Sequence, residues 1–338
     1  MDEMFVAQKD DSQLPLEADL FKMEFKYYKS KRKIPDLSQV LDIRKDSRKE
    51  SRYFAWKEIY IGCNDLGIKS TVKVTELPSV PGFLLIPEAF TPAGLHYWTH
   101  RCLVDFPERP NVTNLETLPA SITRRIGEGK VILDEELRTR LRWATLGYHH
   151  NWKTKVYDVE NYTTFPPDLA RCAAMFAEKV AGYTYEYRAE AGIINYYSLG
   201  TALSGHVDYS EEDQSAPLVS ISLGCTCVFL IGGAERSVRP TPVFLRHGDV
   251  SIMTGLSRLA YHGVPRVIVE KSTPLSNDLR TSCPDAGLEK SETLDHCGSE
   301  PNANKDGDVV FCKDGICRSY LKNNRINITV RQVFKPDI

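Results

Sequence analysis

The segment Leu203-Ser204-Gly205-His206-Val207-Asp208-Tyr209-Ser210 places a histidine and a carboxylate two positions apart. On an extended strand, residues i and i+2 leave the same face, so His206 and Asp208 are expected to project together. A histidine beside a carboxylate supplies two ligands of the facial triad that holds non-haem iron and leaves open positions on the metal. The pair alone is a common chance pattern, and the triad needs a second histidine from a distant strand.

His262 is the candidate third ligand, in the segment Ser257-Arg258-Leu259-Ala260-Tyr261-His262-Gly263-Val264. The alternative interpretation is that His206 and His262 are ordinary core histidines with satisfied hydrogen bonds. The rest of the chain decides between the two, because an iron oxygenase also needs a place for its organic co-substrate.

The last predicted strand, residues 325–331, alternates polar and β-branched residues without a break. Its polar positions are Arg325, Asn327, Thr329 and Arg331. A strand whose polar face meets water is the alternative interpretation. If that face points inward, two arginines cannot be desolvated unpaired. A small dicarboxylate that chelates the metal would fit them, through bidentate pairing.

Short β-like runs joined by Gly/Pro turns dominate the second half of the chain. We predict strands at residues 192–197, 218–223, 227–231, 243–246, 250–253, 267–270 and 326–334. This pattern of short strands predicts an α+β protein with a mainly β core, a double-stranded β-helix or jelly roll. We expect a partly helical, basic N-terminal extension at 1–77, helices and a lid at 78–189, and the jelly-roll core at 190–338, with a flexible polar insertion at about 273–308.

Helices are expected before the β-rich half. We predict them at residues 20–28, at 92–106, from an Asp134 cap to Gly147, and at 167–180. The third prediction rests on apolar residues at 137, 141 and 144, which recur at helical spacing.

Composition excludes several functional classes. Apolar residues make up 42% and charged residues 26%, and 43 basic against 45 acidic residues leave a net charge of −2, so bulk attraction to polyanions is not implied. Residues 22–57 nevertheless hold twelve bases against five acids, and residues 270–308 hold nine acids against four bases. No apolar run approaches the ~20 residues of a membrane helix, and the first residues lack signal-peptide or transit-peptide character.

We therefore expect an intracellular protein of the nucleus, cytoplasm or mitochondrion. Nine cysteines at irregular spacing argue against a disulfide framework. Four of them could in principle bind zinc, but no CxxC pair is present; these are Cys283, Cys297, Cys312 and Cys317.

The motifs taken in order, N-x-Y, H-x-D, a distal His and R-x-N-x-T-x-R, resemble the AlkB family of Fe(II)/2-oxoglutarate-dependent dioxygenases. The resemblance covers residues 81–334. It implies that His206, Asp208 and His262 hold Fe(II), and that O2 and 2-oxoglutarate are consumed. The residues it assigns to 2-oxoglutarate are Asn195, Tyr196, Tyr197, Arg325, Asn327, Thr329 and Arg331.

The resemblance also implies a nucleotide-recognition lid and a substrate mouth. The residues expected there are Tyr148, His149, His150, Asn151, Trp152, Ser210 and Arg236. Packing of Trp152 in the lid and a solvated Arg236 are the alternatives. Ser210 stands where base-repair members often carry an acid, and serine accepts less strongly from an exocyclic amine. A DNA-repair specificity therefore does not transfer directly.

The resemblance predicts oxidative demethylation or hydroxylation of methylated bases, foremost 1-methyladenine and 5-methylcytosine in tRNA. The alternatives are a DNA N6-methyladenine demethylase, a protein oxygenase acting on histone or lysine, and an inactive binding module. We expect a monomer without membrane contact that binds tRNA or other structured or single-stranded nucleic acid. Basic residues near 29–33 and 138–142 would contact its phosphates.

Overall fold

Two antiparallel sheets form the core of the protein, whose computed structural model describes residues 18–47, 54–127, 130–269 and 315–335. The major sheet has the order β1-β2-β3-β12-β9-β14-β7-β5-β4, with β6 paired to β5, and the minor sheet has the order β11-β10-β13-β8. The predicted jelly roll with a mainly β core is confirmed. The strands are β1 Lys57–Tyr60, β2 Thr71–Glu76, β3 Phe83–Ile86, β4 Val112–Thr113, β5 Trp143–Asn151, β6 Val156–Tyr162, β7 Ala191–Ser198, β8 Leu203–His206, β9 Leu218–Gly224, β10 Thr226–Ile231, β11 Thr241–Leu245, β12 Val250–Met253, β13 His262–Ile268 and β14 Asn324–Arg331.

Helices lie mainly before β7. They are α1 Leu20–Lys29, α2 Ile43–Ser47, α3 Pro92–His100, α4 Ala120–Thr123, α5 Lys130–Leu133, α6 Glu135–Arg140, α7 Pro167–Ala174 and α8 Gly315–Asn323. π-helical turns at Arg101–Asp105 and Met175–Val180 extend α3 and α7. The expected boundary at residue 77 falls between two paired strands, β2 and β3. The insertion expected at 273–308 lies outside the described residues.

The two faces of the major sheet bury side chains of different polarity. On β14, Ile326, Ile328 and Val330 point into an apolar cluster shared with α3 and α7, where Trp98 and Phe176 are fully buried. Because successive side chains alternate between faces, the odd positions of β14 point the other way, toward the minor sheet. The space between the sheets therefore holds a second apolar cluster and, beside it, a row of polar side chains.

The helix expected from Asp134 to Gly147 is wrong beyond its first half. Asp134 does cap a helix, its carboxylate accepting from the backbone N–H groups of Glu136 and Leu137, but that helix ends at Arg140. Residues 143–147 instead pair with β7 along the major sheet. The helical spacing of the apolar residues was coincidental, because Ala144 is buried by sheet pairing.

Cys317 is disulfide-bonded, which removes it from any zinc set. The other three cysteines considered for zinc lie outside the described residues. Among the described residues, no helix has the length and apolar character needed to cross a membrane.

Candidate active site

Two side chains of the minor sheet and one from the loop after β8 converge on one point. His206 ends β8, His262 begins β13, and the two residues pair directly across the strands. Asp208 lies in the loop after β8 and not on the strand itself. Ligand atoms of the three side chains lie within 4.8 Å of one another, as a shared metal ion requires. The structure thus brings together all three residues of the predicted triad.

Both histidines are oriented by a backbone carbonyl. Nδ1 of His206 lies 2.9 Å from the carbonyl oxygen of Ser204, and Nδ1 of His262 lies 3.0 Å from that of Ala260. A carbonyl oxygen can only accept, so each Nδ1 carries a proton, and in the neutral ring Nε2 then keeps its lone pair. The two Nε2 atoms lie 3.7 Å and 3.9 Å from the Asp208 carboxylate. This tautomer is the one that a metal-binding imidazole uses when its second nitrogen is held in place.

The charge states of His262 and Asp208 suit a divalent cation. Burial and the neighbouring His206 lower the pKa of His262 to about 4, which keeps its imidazole neutral at physiological pH. Burial alone would raise the pKa of Asp208, but Arg331 and the two histidines hold it well below its usual range. Two imidazole nitrogens and one carboxylate are the donor set of a non-haem Fe(II) centre.

A buried ion network behind Asp208 escaped the sequence analysis. The Glu211 carboxylate, whose side chain is 0% exposed, accepts from Arg331 at 2.8 Å and from Arg258 at 3.0 Å. Arg258 also donates to the backbone carbonyl of Asp208 at 2.9 Å, and Tyr157 donates to Glu211. The network fixes the loop that carries the metal carboxylate. The acidic run after Ser210 gave no signal of which acid was buried.

The polar face of β14 turns inward, so the alternative of a strand whose polar face meets water is wrong. Arg325 is 1% exposed and Arg331 is 4% exposed. Arg325 donates to Ser222 Oγ at 2.8 Å, yet its buried Nε has no hydrogen-bond partner, and the Nε of Arg331 has none either. Arg331 already pairs with Glu211 and Asp208, whereas the hydrogen-bond partners of Arg325 among the described residues are two backbone carbonyls and the Ser222 hydroxyl. A buried guanidinium without a carboxylate partner favours an anion, so the site fits a dicarboxylate such as 2-oxoglutarate.

The other residues expected at the 2-oxoglutarate site lie on two different faces of the major sheet. Asn195 and Tyr197 lie directly opposite Asn327 and Arg325, so these pairs share the inner face. Thr329, also on that face, donates to Asn327. Tyr196 is a correction, because it occupies the intervening position. Its hydroxyl donates to the Cys102 carbonyl at 2.6 Å within the outer cluster, so it is a core residue with no access to the site.

The β5–β6 hairpin supplies an aromatic edge beside the triad. Nε2 of His150 lies 3.1 Å from Ser210 Oγ, and the buried Nδ1 of His150 has no partner. Trp152, 42% exposed, packs against His150 and Trp143, with ring centroids 4.7 Å and 5.4 Å away. Burial and the nearby Arg331 lower the pKa of His150, so its ring is neutral. Trp143 was not singled out from the sequence.

Three residues expected at the mouth make contacts within the chain. Both ring nitrogens of His149 bond to threonine hydroxyls, those of Thr145 and Thr163. The Asn151 carboxamide accepts from two backbone N–H groups of its own turn. Arg236 is paired with Asp19 at 2.8 Å, since α1 lies against it.

Tyr148, the fourth of these expected contacts, packs between two other aromatic rings. Its ring lies 4.6 Å from that of Tyr162 and 4.9 Å from that of Phe334. It therefore supports the hairpin from the side, and His150 with Trp152 forms the edge near the triad.

Comparison with known proteins agrees with this geometry. A family model described as the 2OG-Fe(II) oxygenase superfamily matches residues 82–331. The chain is 39% identical over 276 residues to human nucleic acid dioxygenase ALKBH1, an alignment that covers 77% of this chain and 66% of that protein. It is 35% identical over 284 residues to tRNA demethylase abh1 of Schizosaccharomyces pombe, covering 76% of this chain and 88% of the relative.

A third relative is DNA N(6)-methyladenine demethylase ALKBH1A of Arabidopsis thaliana, 28% identical over 351 residues, with 91% of each chain covered. The matched part of the human protein is slightly under two thirds of its length. Membership in this family implies Fe(II), 2-oxoglutarate and O2. The chain belongs to the 2OG-Fe(II) oxygenase superfamily, within its AlkB branch.

Proposed function

We propose that this chain is an Fe(II)/2-oxoglutarate-dependent dioxygenase that demethylates or hydroxylates methylated bases in nucleic acid, foremost 1-methyladenine and 5-methylcytosine in tRNA. One observation carries the proposal. The His206–Asp208–His262 triad and two buried arginines with unpartnered Nε atoms lie on facing inner surfaces of the same jelly roll. A site for a metal thus adjoins a site for a dicarboxylate.

In this proposal His206, Asp208 and His262 hold Fe(II). The side chains that hold 2-oxoglutarate are Asn195, Tyr197, Arg325, Asn327, Thr329 and Arg331. The bound metal and co-substrate supply the oxygen activation that no side chain can provide. Asp208 stays ionised because Arg331 lies 3.4 Å from its carboxylate. Glu211 pairs with the same guanidinium and with Arg258, so two carboxylates balance two positive charges. The protein thereby presents a fixed, nearly neutral cage before the metal binds.

The aromatic edge of the mouth suits a nucleobase. The His150 ring lies next to Ser210, two positions beyond the metal carboxylate, and Trp152 packs against that ring. A base in a duplex has to be flipped out to reach such a site, at a cost of a few kcal/mol, so loops and distorted stems are favoured. The name of the S. pombe relative, a tRNA demethylase, supports tRNA as the substrate.

Phosphate contacts are assigned to exposed bases on α1 and α6. Lys31, Arg32 and Lys33 follow α1 and are exposed, and Arg140 and Arg142 are exposed beside α6. Each phosphate neutralised makes binding more sensitive to salt. We assign the chain a monomeric state and an intracellular location, in the nucleus, cytoplasm or mitochondrion.

DNA N6-methyladenine is the second candidate substrate, because the Arabidopsis relative carries that name. A protein oxygenase acting on histone or lysine is the third. Salt-sensitive binding of tRNA that weakens when the three bases after α1 are neutralised favours nucleic acid. Binding that is absent or independent of salt favours a protein substrate.

The decisive experiment incubates the chain with total tRNA, Fe(II), 2-oxoglutarate and O2, and quantifies modified nucleosides by mass spectrometry. We expect loss of a methylated nucleoside or gain of its oxidised form, with both abolished by Asp208→Asn. Glu212→Gln, an exposed carboxylate four positions on, is the matched control and leaves turnover unchanged. Succinate formation without any nucleoside change contradicts the proposed tRNA substrate. The absence of succinate contradicts the proposed dioxygenase activity.

A further inference from the structure

Helix α1 covers the outer face of the minor sheet, directly behind the triad. Phe21, on its first turn, is 0% exposed and belongs to a small apolar cluster with Val228 and Leu230 of β10. We propose that Phe21 is a positioning residue that holds both histidine ligands, so that α1 is a working part of the metal centre. The inference rests on the proposed metal-binding role of His206 and His262.

The first contact is with the residue before His206. A Cβ atom at Gly205 would overlap the ring of Phe21, so this position admits only glycine while the ring is present. Since alternate residues of a strand point to opposite faces, the ring lies behind β8 and the imidazole of His206 in front of it. The ring of Phe21 therefore determines how closely β8 approaches α1.

The second contact is with the residue before His262. The ring centroids of Phe21 and Tyr261 are 6.1 Å apart. The backbone of Tyr261 is fixed on both sides, its carbonyl accepting from Gly232 and its N–H donating to Gly233, each at 2.8 Å. A Cβ on Gly232 would lie 3.2 Å from the same phenyl ring. One side chain therefore packs against the segments that lead into both histidines.

Strand β8 needs this support. It is four residues long and ends the minor sheet, with β13 as its partner among the described residues. Its register with β13 is irregular, with pairs at only His262–His206 and Val264–Leu203. A short edge strand with a broken ladder is weakly held by backbone bonds, so packing from α1 has to supply the rest.

α1 itself is anchored at both ends and cannot slide. At its start, Asp19 pairs with Arg236 at 2.8 Å, and the N–H of Phe21 donates to the Arg236 carbonyl at 3.0 Å. At its end, Arg266 of β13 donates to the carbonyls of Tyr28, at 2.7 Å, and Ser30. The helix is therefore a rigid backing for the strands that bear the ligands.

The test measures Co(II) affinity of the apo-protein, by calorimetry and by the visible bands of bound Co(II). For Phe21→Ala we expect about tenfold weaker binding, the lower end of the effect of removing groups that orient metal ligands. Phe176→Ala removes an equally buried ring from the far side of the major sheet and is the matched control, with destabilisation but unchanged affinity. Phe21→Leu, which retains an apolar contact, should recover most of the affinity.

Gly205→Ala provides an independent arm. Alone it should weaken Co(II) binding, because its methyl displaces the ring. Combined with Phe21→Ala it should bind more tightly than either single variant, since the methyl fills vacated space. Equal affinity in Phe21→Ala and Phe176→Ala, or additive losses in the double variant, overturns the proposal. Retention of Co(II) by His206→Ala instead overturns the metal site on which it rests, so the two failures are distinguishable.

Discussion

Glu211→Gln is the sharpest perturbation of the ion network behind the metal carboxylate. In the native site two carboxylates, Asp208 and Glu211, balance two guanidinium groups, Arg258 and Arg331. Glutamine keeps the shape of the side chain, but it removes one negative charge and turns one acceptor into an N–H donor. Whichever way the amide is oriented, one buried guanidinium then faces a donor.

The expected cost follows from this geometry. Breaking a buried ion pair by removing one partner costs about 3–5 kcal/mol. At roughly 2 °C per kcal/mol for a domain of this size, the midpoint of thermal unfolding falls by about 6–10 °C. Arg331 also loses its shortest anchor. Weakening a hydrogen bond to a charged group costs about 1.5–3 kcal/mol, so the KM for 2-oxoglutarate rises by about 10-fold or more.

Thermal melts and succinate formation against 2-oxoglutarate concentration provide the two readouts. Glu212→Gln, the exposed neighbour, should change neither. A Glu211→Gln protein that melts within about 1 °C of the parent and retains its KM would refute the reasoning. It would mean that the two arginines do not depend on this carboxylate.

Three further outcomes are expected. Arg325→Lys should raise the KM for 2-oxoglutarate about 10–100-fold while kcat persists, because the buried fork that meets the anion is lost. His150→Ala should abolish turnover of methylated RNA but keep substrate-free conversion of 2-oxoglutarate to succinate, whereas the exposed Lys153→Ala should retain both. Burial and Arg44 lower the pKa of His247 to about 4, so the folded protein resists its protonation. The free energy of unfolding therefore decreases as pH falls from about 6.5 toward 4. The slope of this free energy against pH gives the number of protons taken up on unfolding, and His247→Gln should reduce that number by about one.

Each of these has a contradicting result. An unchanged KM in Arg325→Lys would remove that arginine from the 2-oxoglutarate site. Equal loss of both activities in His150→Ala would make it a structural residue of the centre. An unaltered slope of unfolding free energy against pH in His247→Gln would mean that this ring is not the group that titrates.

Sequence patterns predicted those parts of the site whose residues lie at alternate positions of one strand. The alternation along β14 indicated two arginines on one face but not that this face is buried. The i, i+2 spacing indicated that His206 and Asp208 act together, although Asp208 lies just past its strand. The same parity argument excludes Tyr196, which was assigned to the cofactor together with its neighbours. A strict alternation is reliable because sheet pairing enforces it.

The remaining parts depend on tertiary contacts with no local signature. Ala144 fitted a helical stripe, but its backbone is satisfied by β7. Glu211 is one of three acids within residues 211–213, and only packing against Arg258 and Arg331 distinguishes it from the exposed Glu212. Phe21 is distant in sequence from the residues that it supports. Long-range burial of this kind cannot be read from a single stretch of sequence.

The central position of β14 has a consequence for engineering. The strand pairs with β9 on one side and β7 on the other, so its register is fixed along both edges. Even positions can therefore be exchanged among aliphatic residues, with Ile328→Val costing about 0.5–1.5 kcal/mol, without changing what the cofactor meets. A one-residue slip of the whole strand's register has the opposite outcome, since it would drive both guanidinium groups under the helices and line the catalytic cavity with aliphatic side chains. Substitutions at even positions of this strand therefore change stability, those at odd positions change the chemistry of the site, and a change of register destroys both.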